Sequence, residues 1–338
     1  MLDLPLLQRL RLVRRPRSQR FMGRLLGLNY GWLPGVAIEV EHPERIPDRP
    51  VLFAMNHTDR YNYFPFQYRL WQDRDRFTAT WVKGKYYESP LLARFMESML
   101  QLPTVSRGYL IAKDFLAAIG RRPSEAEYKA LRRAVDARVL GASDPLPPPP
   151  LVPPALYRPG RSPLGLAFDP AIGDYADYIS RLFAAMMARF VALNREAVSI
   201  GLDLLVFPQG TRSRRLLPGH DGIGQMALHL RIPIVPVGCN GADLVYPGAS
   251  PFARRGRIVY RIGEPIEPVE VQACLAAGGF APVAEDFAPF SAGAERRFGA
   301  EFAQVAALVT ERIDGLLDSE YRLAPEPDAA SRGVDRFV

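Results

Sequence analysis

The chain has 338 residues, 48% of them hydrophobic and 23% charged, with a formal net charge of +7. Those values are those of an ordinary globular protein, one large domain or two small ones, and the positive balance suits an anionic partner without separating nucleic acid, membrane surface and anionic co-substrate. Two cysteines, Cys239 and Cys274, make neither a disulfide framework nor a metal spacing, no apolar run reaches the roughly 18 residues of a spanning helix, and no signal-peptide pattern is evident.

In chain order, residues 1–35 interleave leucines and other apolar residues with seven arginines (Arg9, Arg11, Arg14, Arg15, Arg17, Arg20 and Arg24), and Asp3 is the only acid before Glu39. Apart from Pro5 and Pro16 the segment is helix-compatible. It reads as a basic amphipathic helix pair on an anionic membrane surface, or as helices packed on the domain with a solvated basic face. Val36–Glu41 alternates apolar and polar residues and suggests a half-exposed edge strand. Val51–Met55 is wholly apolar and ends at Asn56-His57, the pattern of a buried strand delivering polar residues to a sheet edge. His57 is one of four histidines, beside His42 (a surface turn), His220 (a helix start that can also touch substrate) and His229 (structural).

A helix from Phe64 towards Trp71, a strand Phe77–Val82, a helix Pro90–Leu100 and a strand Leu102–Val105 ending at Arg107 follow. Lys83 and Lys85 stand after the second of these strands, either against donor phosphates or as plain surface residues. Between about 109 and 180 the pattern is interrupted by an insertion. It holds a charged helix (Ala126–Leu140) and a proline-rich run (144–163) that is neither helix nor central strand. A lid over an acyl pocket and a surface excursion are both compatible with it. Tyr178–Ala197 is an amphipathic helix feeding the strand Asp203–Phe207. That strand ends in Pro208-Gln209-Gly210-Thr211-Arg212-Ser213, a turn able to offer backbone N–H groups, hydroxyls and a guanidinium fork to a phosphate. Arg214 and Arg215 add charge beside it. Residues 295–320 read as a helix and the tail from Ala324 as frayed.

The blocks Asn56-His57-x4-Asn62, Leu102–Arg107, Phe207–Ser213 and Ile232–Val237 occur in an order and spacing that resembles the glycerolipid acyltransferase family typified by 1-acylglycerol-3-phosphate O-acyltransferase, over roughly residues 36–268. The resemblance implies an α/β fold, a mixed, largely parallel sheet flanked by helices with the basic helical segment at its N-terminus. Three parts follow from it: a membrane-surface segment (1–35), an acyltransferase-like domain (36–320) and a flexible tail (321–338). It also implies transfer of a fatty acyl group from acyl-CoA or acyl-carrier protein to a hydroxyl of lysophosphatidate or a related glycerolipid, peripherally at the cytoplasmic face of a membrane. No metal, further cofactor or nucleic acid is implied.

Acyl transfer needs a base, stabilisation of an oxyanion and a grip on both substrates. His57 is the candidate base. By resemblance, Arg107 and Arg212 hold the acceptor's phosphate, Gly210, Thr211 and Ser213 supply further donors, and Asn56 positions the turn or the oxyanion. The sequence departs from the family twice: Asn62 stands where the family has an aspartate, and Gln209 where it has a glutamate. Both are near-isosteric amides without charge, and Asn62 can favour the wrong imidazole tautomer. A slower His57, rescue by Asp59, and a catalytically silent phospholipid-binding protein remain as alternatives.

Overall fold

The computed structural model describes residues 1–31, 35–142, 148–283 and 286–323. Among these, α1 (Leu4–Arg9), α2 (Arg17–Gly31) and β1 (Val36–Glu41) precede β2 (Leu52–Met55), α3 (Tyr63–Arg74), β3 (Thr78–Lys83), α4 (Pro90–Ser98) and β4 (Gln101–Thr104). The insertion contributes α5 (Arg107–Ile119) and α6 (Glu125–Val139) and leads into α7 (Tyr175–Ser199). Then come β5 (Asp203–Val206), α8 (Gly222–Leu230), β6 (Ile234–Asn240), α9 (Ala242–Val245), β7 (Gly256–Ile262), α10 (Pro268–Ala277) and α11 (Ala292–Asp314).

The strands form one sheet in the order β1-β7-β6-β2-β5-β3-β4. All pairings are parallel except β6 with β7. This is the mixed, largely parallel α/β sheet expected, with β1 at one edge as its alternation requires. β2 and β5 lie in the middle and are buried on both faces, which is why they read as unbroken apolar runs. Their side chains alternate between two cores: Leu52, Ala54, Leu204 and Val206 face the layer holding α1, α7 and α11, while Phe53, Met55 and Leu205 face the layer holding α2 and α3. Parallel β2 and β5 are in register at Ala54–Val206, so residues separated by some 150 positions in sequence emerge together at one sheet edge.

The two N-terminal helices divide. Asp3 caps α1 by accepting from the Leu6 N–H at 2.8 Å, and Leu2, Leu4, Leu6, Leu7 and Leu10 are buried in the core. Exposing a buried leucine costs about 1.5–3 kcal/mol, so freeing all five would take most of a typical domain's stability. The expectation of a helix pair lying on a bilayer is therefore corrected for α1, whose leucines pack inward. α2 keeps a surface stripe: Phe21, Leu25 and Leu28 are 64%, 44% and 61% exposed. Its opposite side packs on α3 so closely that a Cβ on Gly23 would stand 2.6 Å from the Trp71 ring.

The insertion is part of the domain. Leu156, Leu164 and Phe168 are buried, and the Leu4 N–H donates to the Leu164 carbonyl at 3.0 Å. Asp114 of α5, fully buried, accepts both Arg161 nitrogens (2.7 and 2.9 Å) and the hydroxyls of Tyr175 (3.1 Å) and Tyr178 (2.9 Å). A segment anchored in this way is wall, and the lid reading gives way to packing. Residues 143–147 of the proline-rich run and the tail from Ala324 lie outside the described residues.

Candidate active site

The polar segment after β2 and the turn after β5 are tied to each other through the backbone of His57. Its N–H donates to Gln209 Oε1 at 3.3 Å, and its carbonyl accepts from the Ser213 N–H at 2.9 Å. The His57 ring stacks on Phe207, with centroids 4.1 Å apart and planes 21° from parallel. Asn56 is buried and pins the segment to β6: its Nδ2 donates to the Cys239 carbonyl (2.9 Å) and its Oδ1 accepts from the Cys239 N–H (2.7 Å). Both of its polar atoms are thus used in positioning the turn.

Asn62 settles the tautomer. Its Nδ2 donates to the Asn56 carbonyl at 2.8 Å, an atom that can only accept. Turning the amide over would set oxygen against oxygen, so Oδ1 is the atom facing His57 Nδ1, at 3.1 Å. An oxygen there places the proton on Nδ1 and leaves the Nε2 lone pair free. The worry that an amide at this position selects the wrong tautomer is answered by the Asn56 carbonyl. What the amide does not supply is charge. Burial lowers the His57 pKa from 6.5 to about 4, the Asn62 bond opposes this, and the charges of Arg212 and Lys83 lower it further. At neutral pH the imidazole is unprotonated and only weakly basic.

Gln209 follows the same plan. Its Oε1 accepts from His57 N–H while its Nε2 donates to the Thr211 carbonyl at 2.9 Å. Each amide thus joins a donor to an acceptor, a task a carboxylate cannot perform. Gly210 takes a φ of +63° in this turn, and a Cβ there would stand 2.7 Å from the His220 ring. His220 precedes α8 as expected, yet its ring lies against the Gly210 turn.

Two expected site residues are engaged elsewhere. Asp59 Oδ1 accepts from the Tyr61 N–H at 2.7 Å and Oδ2 from the Thr58 hydroxyl at 2.9 Å. It is buried, which raises its pKa from 3.8 to about 6 despite those bonds. His57 Nδ1 meets Asn62, and rescue by Asp59 is not what the geometry offers. Arg107, at the start of α5, pairs with Glu295 of α11 at 3.3 Å and lies 4.2 Å over the Phe183 ring, its side chain 13% exposed. Arg212 and Thr211 stand at the Gly210 turn, exposed, beside an open pocket of about 430 Å³ whose lining also includes Asp59, Arg60 and Asp243. Lys83, at the end of β3, is near enough to act on the His57 charge, and Lys85 is half-buried in the turn after it.

Sequence reasoning passed over Arg60, Phe207 as a stacking partner, and Tyr260, whose hydroxyl donates to the Asn62 carbonyl at 2.5 Å. Only Arg60 carried a readable signal, a cation three positions after His57.

The fold and site define an α/β protein that holds a neutral imidazole base beside an arginine-bearing turn, an arrangement able to take a proton from a hydroxyl near an anion. Residues 178–240, from α7 through the Phe207–Ser213 turn to β6, match the family model described as Acyltransferase. A 1-acyl-sn-glycerol-3-phosphate acyltransferase of Cocos nucifera is 39% identical over 75 residues, 22% of this chain and 24% of the relative. The similarity is to acyltransferases of the glycerolipid type, and the aligned stretch spans only about a quarter of that relative's length. Among solved structures, the 1-acyl-sn-glycerophosphate (LPA) acyltransferase PlsC from Thermotoga maritima is similar at 16% identity and a TM-score of 0.37, covering 75% of this chain and 68% of that one.

Proposed function

We propose that the protein transfers a fatty acyl group from a thioester, acyl-CoA or acyl-carrier protein, to a hydroxyl of lysophosphatidate or a related glycerolipid. The observation that carries this reading is the Asn62 amide holding the proton on His57 Nδ1, with Arg212 beside it. Nε2 accepts the acceptor's hydroxyl proton as that oxygen attacks the thioester carbonyl, and the thiolate leaves. We assign Lys83 and Lys85, at and just after the end of β3, to the phosphates of a CoA donor. The exposed apolar stripe of α2, with Arg17, Arg20 and Arg24 around it, is the surface we assign to anionic phospholipids, at the cytoplasmic face. Among the described residues no helix is long and apolar enough to cross a membrane.

The purified chain, given acyl-CoA, phospholipid vesicles and lysophosphatidate, should release free thiol. His57→Ala should lower the rate by about 10²–10⁴-fold, the span of general-base catalysis. Thiol release that ignores this substitution would sink the reading. A second reading, a silent phospholipid-binding protein, is favoured by the missing charge at Asn62 and the low basicity of His57. It predicts vesicle binding with no thiol release in any variant.

A further inference from the structure

The segment from Asn56 to Asn62 is held at both ends by one cross-strand pair. β6 and β7 are paired antiparallel, and Cys239 stands directly opposite Tyr260. The Cys239 N–H and carbonyl are taken by the Asn56 side chain, at 2.7 and 2.9 Å, so they point away from β7. A pair of that kind is the non-hydrogen-bonded one, in which facing side chains approach most closely. Tyr260 is fully buried, its ring 5.3 Å from that of Phe66, and its hydroxyl donates to the Asn62 carbonyl at 2.5 Å. One member of the pair thus fixes the residue before His57, and the other fixes the residue that meets its ring.

Asn62 directly precedes α3, a position where an asparagine ordinarily turns its side-chain oxygen back to cap the helix. Here it makes no such bond. Its Nδ2 has two acceptors instead, the Asn56 carbonyl at 2.8 Å and the Met55 sulfur at 3.8 Å, and its oxygen is left for His57 Nδ1. Capping α3 and orienting the imidazole are alternatives for one short side chain. We propose that Tyr260 is a positioning residue for His57: its hydroxyl fixes the Asn62 backbone, so that the amide oxygen meets Nδ1 and the proton stays there. The consequence for turnover rests on the acyl-transfer reading above; the tautomer rests on the geometry alone. Without the hydroxyl, Asn62 turns to cap α3, and His57 relaxes towards the Nε2–H form that a free histidine side chain favours. That form presents a proton where the acceptor hydroxyl needs a lone pair.

The test is nitrogen-15 NMR of the histidine-labelled full chain at neutral pH, with His57→Gln identifying the two His57 ring signals. The native chain should show Nδ1 protonated and Nε2 bare. Tyr260→Phe removes only the hydroxyl and keeps the ring on Phe66, so the chain stays folded. In it the two shifts should move towards each other. Its kcat for thiol release should fall about 2–10-fold with KM unchanged, the range one hydrogen bond supports. Phe66→Leu is the control, since it loosens the same apolar layer but spares the hydroxyl. Its thermal midpoint should drop while the ring shifts stay. Unmoved shifts in Tyr260→Phe, the same movement in Phe66→Leu, or a loss in KM alone would each overturn the assignment. Shifts that move in Tyr260→Phe, with no thiol release from any variant, uphold it and remove the acyl-transfer reading. Unmoved shifts beside His57-dependent thiol release do the reverse.

Discussion

Two buried polar clusters in this protein solve the same problem in opposite ways. Around Asp114 a full carboxylate is enclosed, and it is matched by the Arg161 guanidinium and two tyrosine hydroxyls that donate to it. Around Asn62 the enclosed group is neutral, and it satisfies one acceptor (the Asn56 carbonyl) and one donor (His57 Nδ1–H) at once. A buried charge demands a counter-charge, whereas an amide demands only complementary neighbours. The first arrangement fastens the insertion to the domain. The second orients an imidazole without charging its surroundings, and so leaves it weakly basic.

Reciprocal substitutions separate the two. Asp114→Asn should cost about 3–5 kcal/mol in denaturant unfolding, because Arg161 is left as a buried charge without its partner. A loss below about 1 kcal/mol, the range of an ordinary hydrogen bond, would show that the cluster does not act through charge. Asn62→Asp should cost less, about 1–3 kcal/mol, since it sets a carboxylate oxygen against the Asn56 carbonyl. The same change should shift the acid limb of kcat/KM upward from about 4, because a carboxylate stabilises the imidazolium. An unmoved limb would mean that His57 is not the titrating base.

The smallest effects lie in the pH dependence of stability. His57 has its folded pKa depressed from 6.5 to about 4, so between those values the unfolded chain binds the extra proton and stability falls as pH falls. Asp59 has its folded pKa raised from 3.8 to about 6, so its contribution is full below 3.8 and is lost as pH rises through 6. The two oppose each other across roughly pH 4–6. Asp59→Asn should therefore expose a positive slope of stability with pH and His57→Gln a negative one, each up to about 1.4 kcal/mol per pH unit. Urea midpoints measured from pH 4 to 7 decide this, and slopes of the same sign in both variants would contradict it.

The insertion marks where reading the sequence stopped working. Its prolines announced a stretch without helix or central strand, and the described part departs from that only by a single 3-10 turn at Pro154–Tyr157. Nothing local announced that Arg161 would reach Asp114, 47 positions earlier, and turn an apparent excursion into packed wall. The α1 leucines misled for a related reason. Alternating leucine and arginine is equally compatible with a bilayer and with a protein core, and only the presence of α7 and the 156–168 segment decides between them.

The sequence by itself determined the central strands and the two polar blocks at their ends. Strands buried on both faces must be continuously apolar, and a break into Asn-His or Pro-Gln-Gly-Thr-Arg marks the sheet edge directly. It also determined that two acids had become amides. Tertiary structure alone decided which end of each amide faces the histidine, because that depends on carbonyls of Asn56 and Thr211 and on how β2 and β5 align. It decided as well that Arg107 pairs with Glu295 of α11, since the partner that neutralises a charge is chosen by proximity in space, which spacing along the chain does not encode.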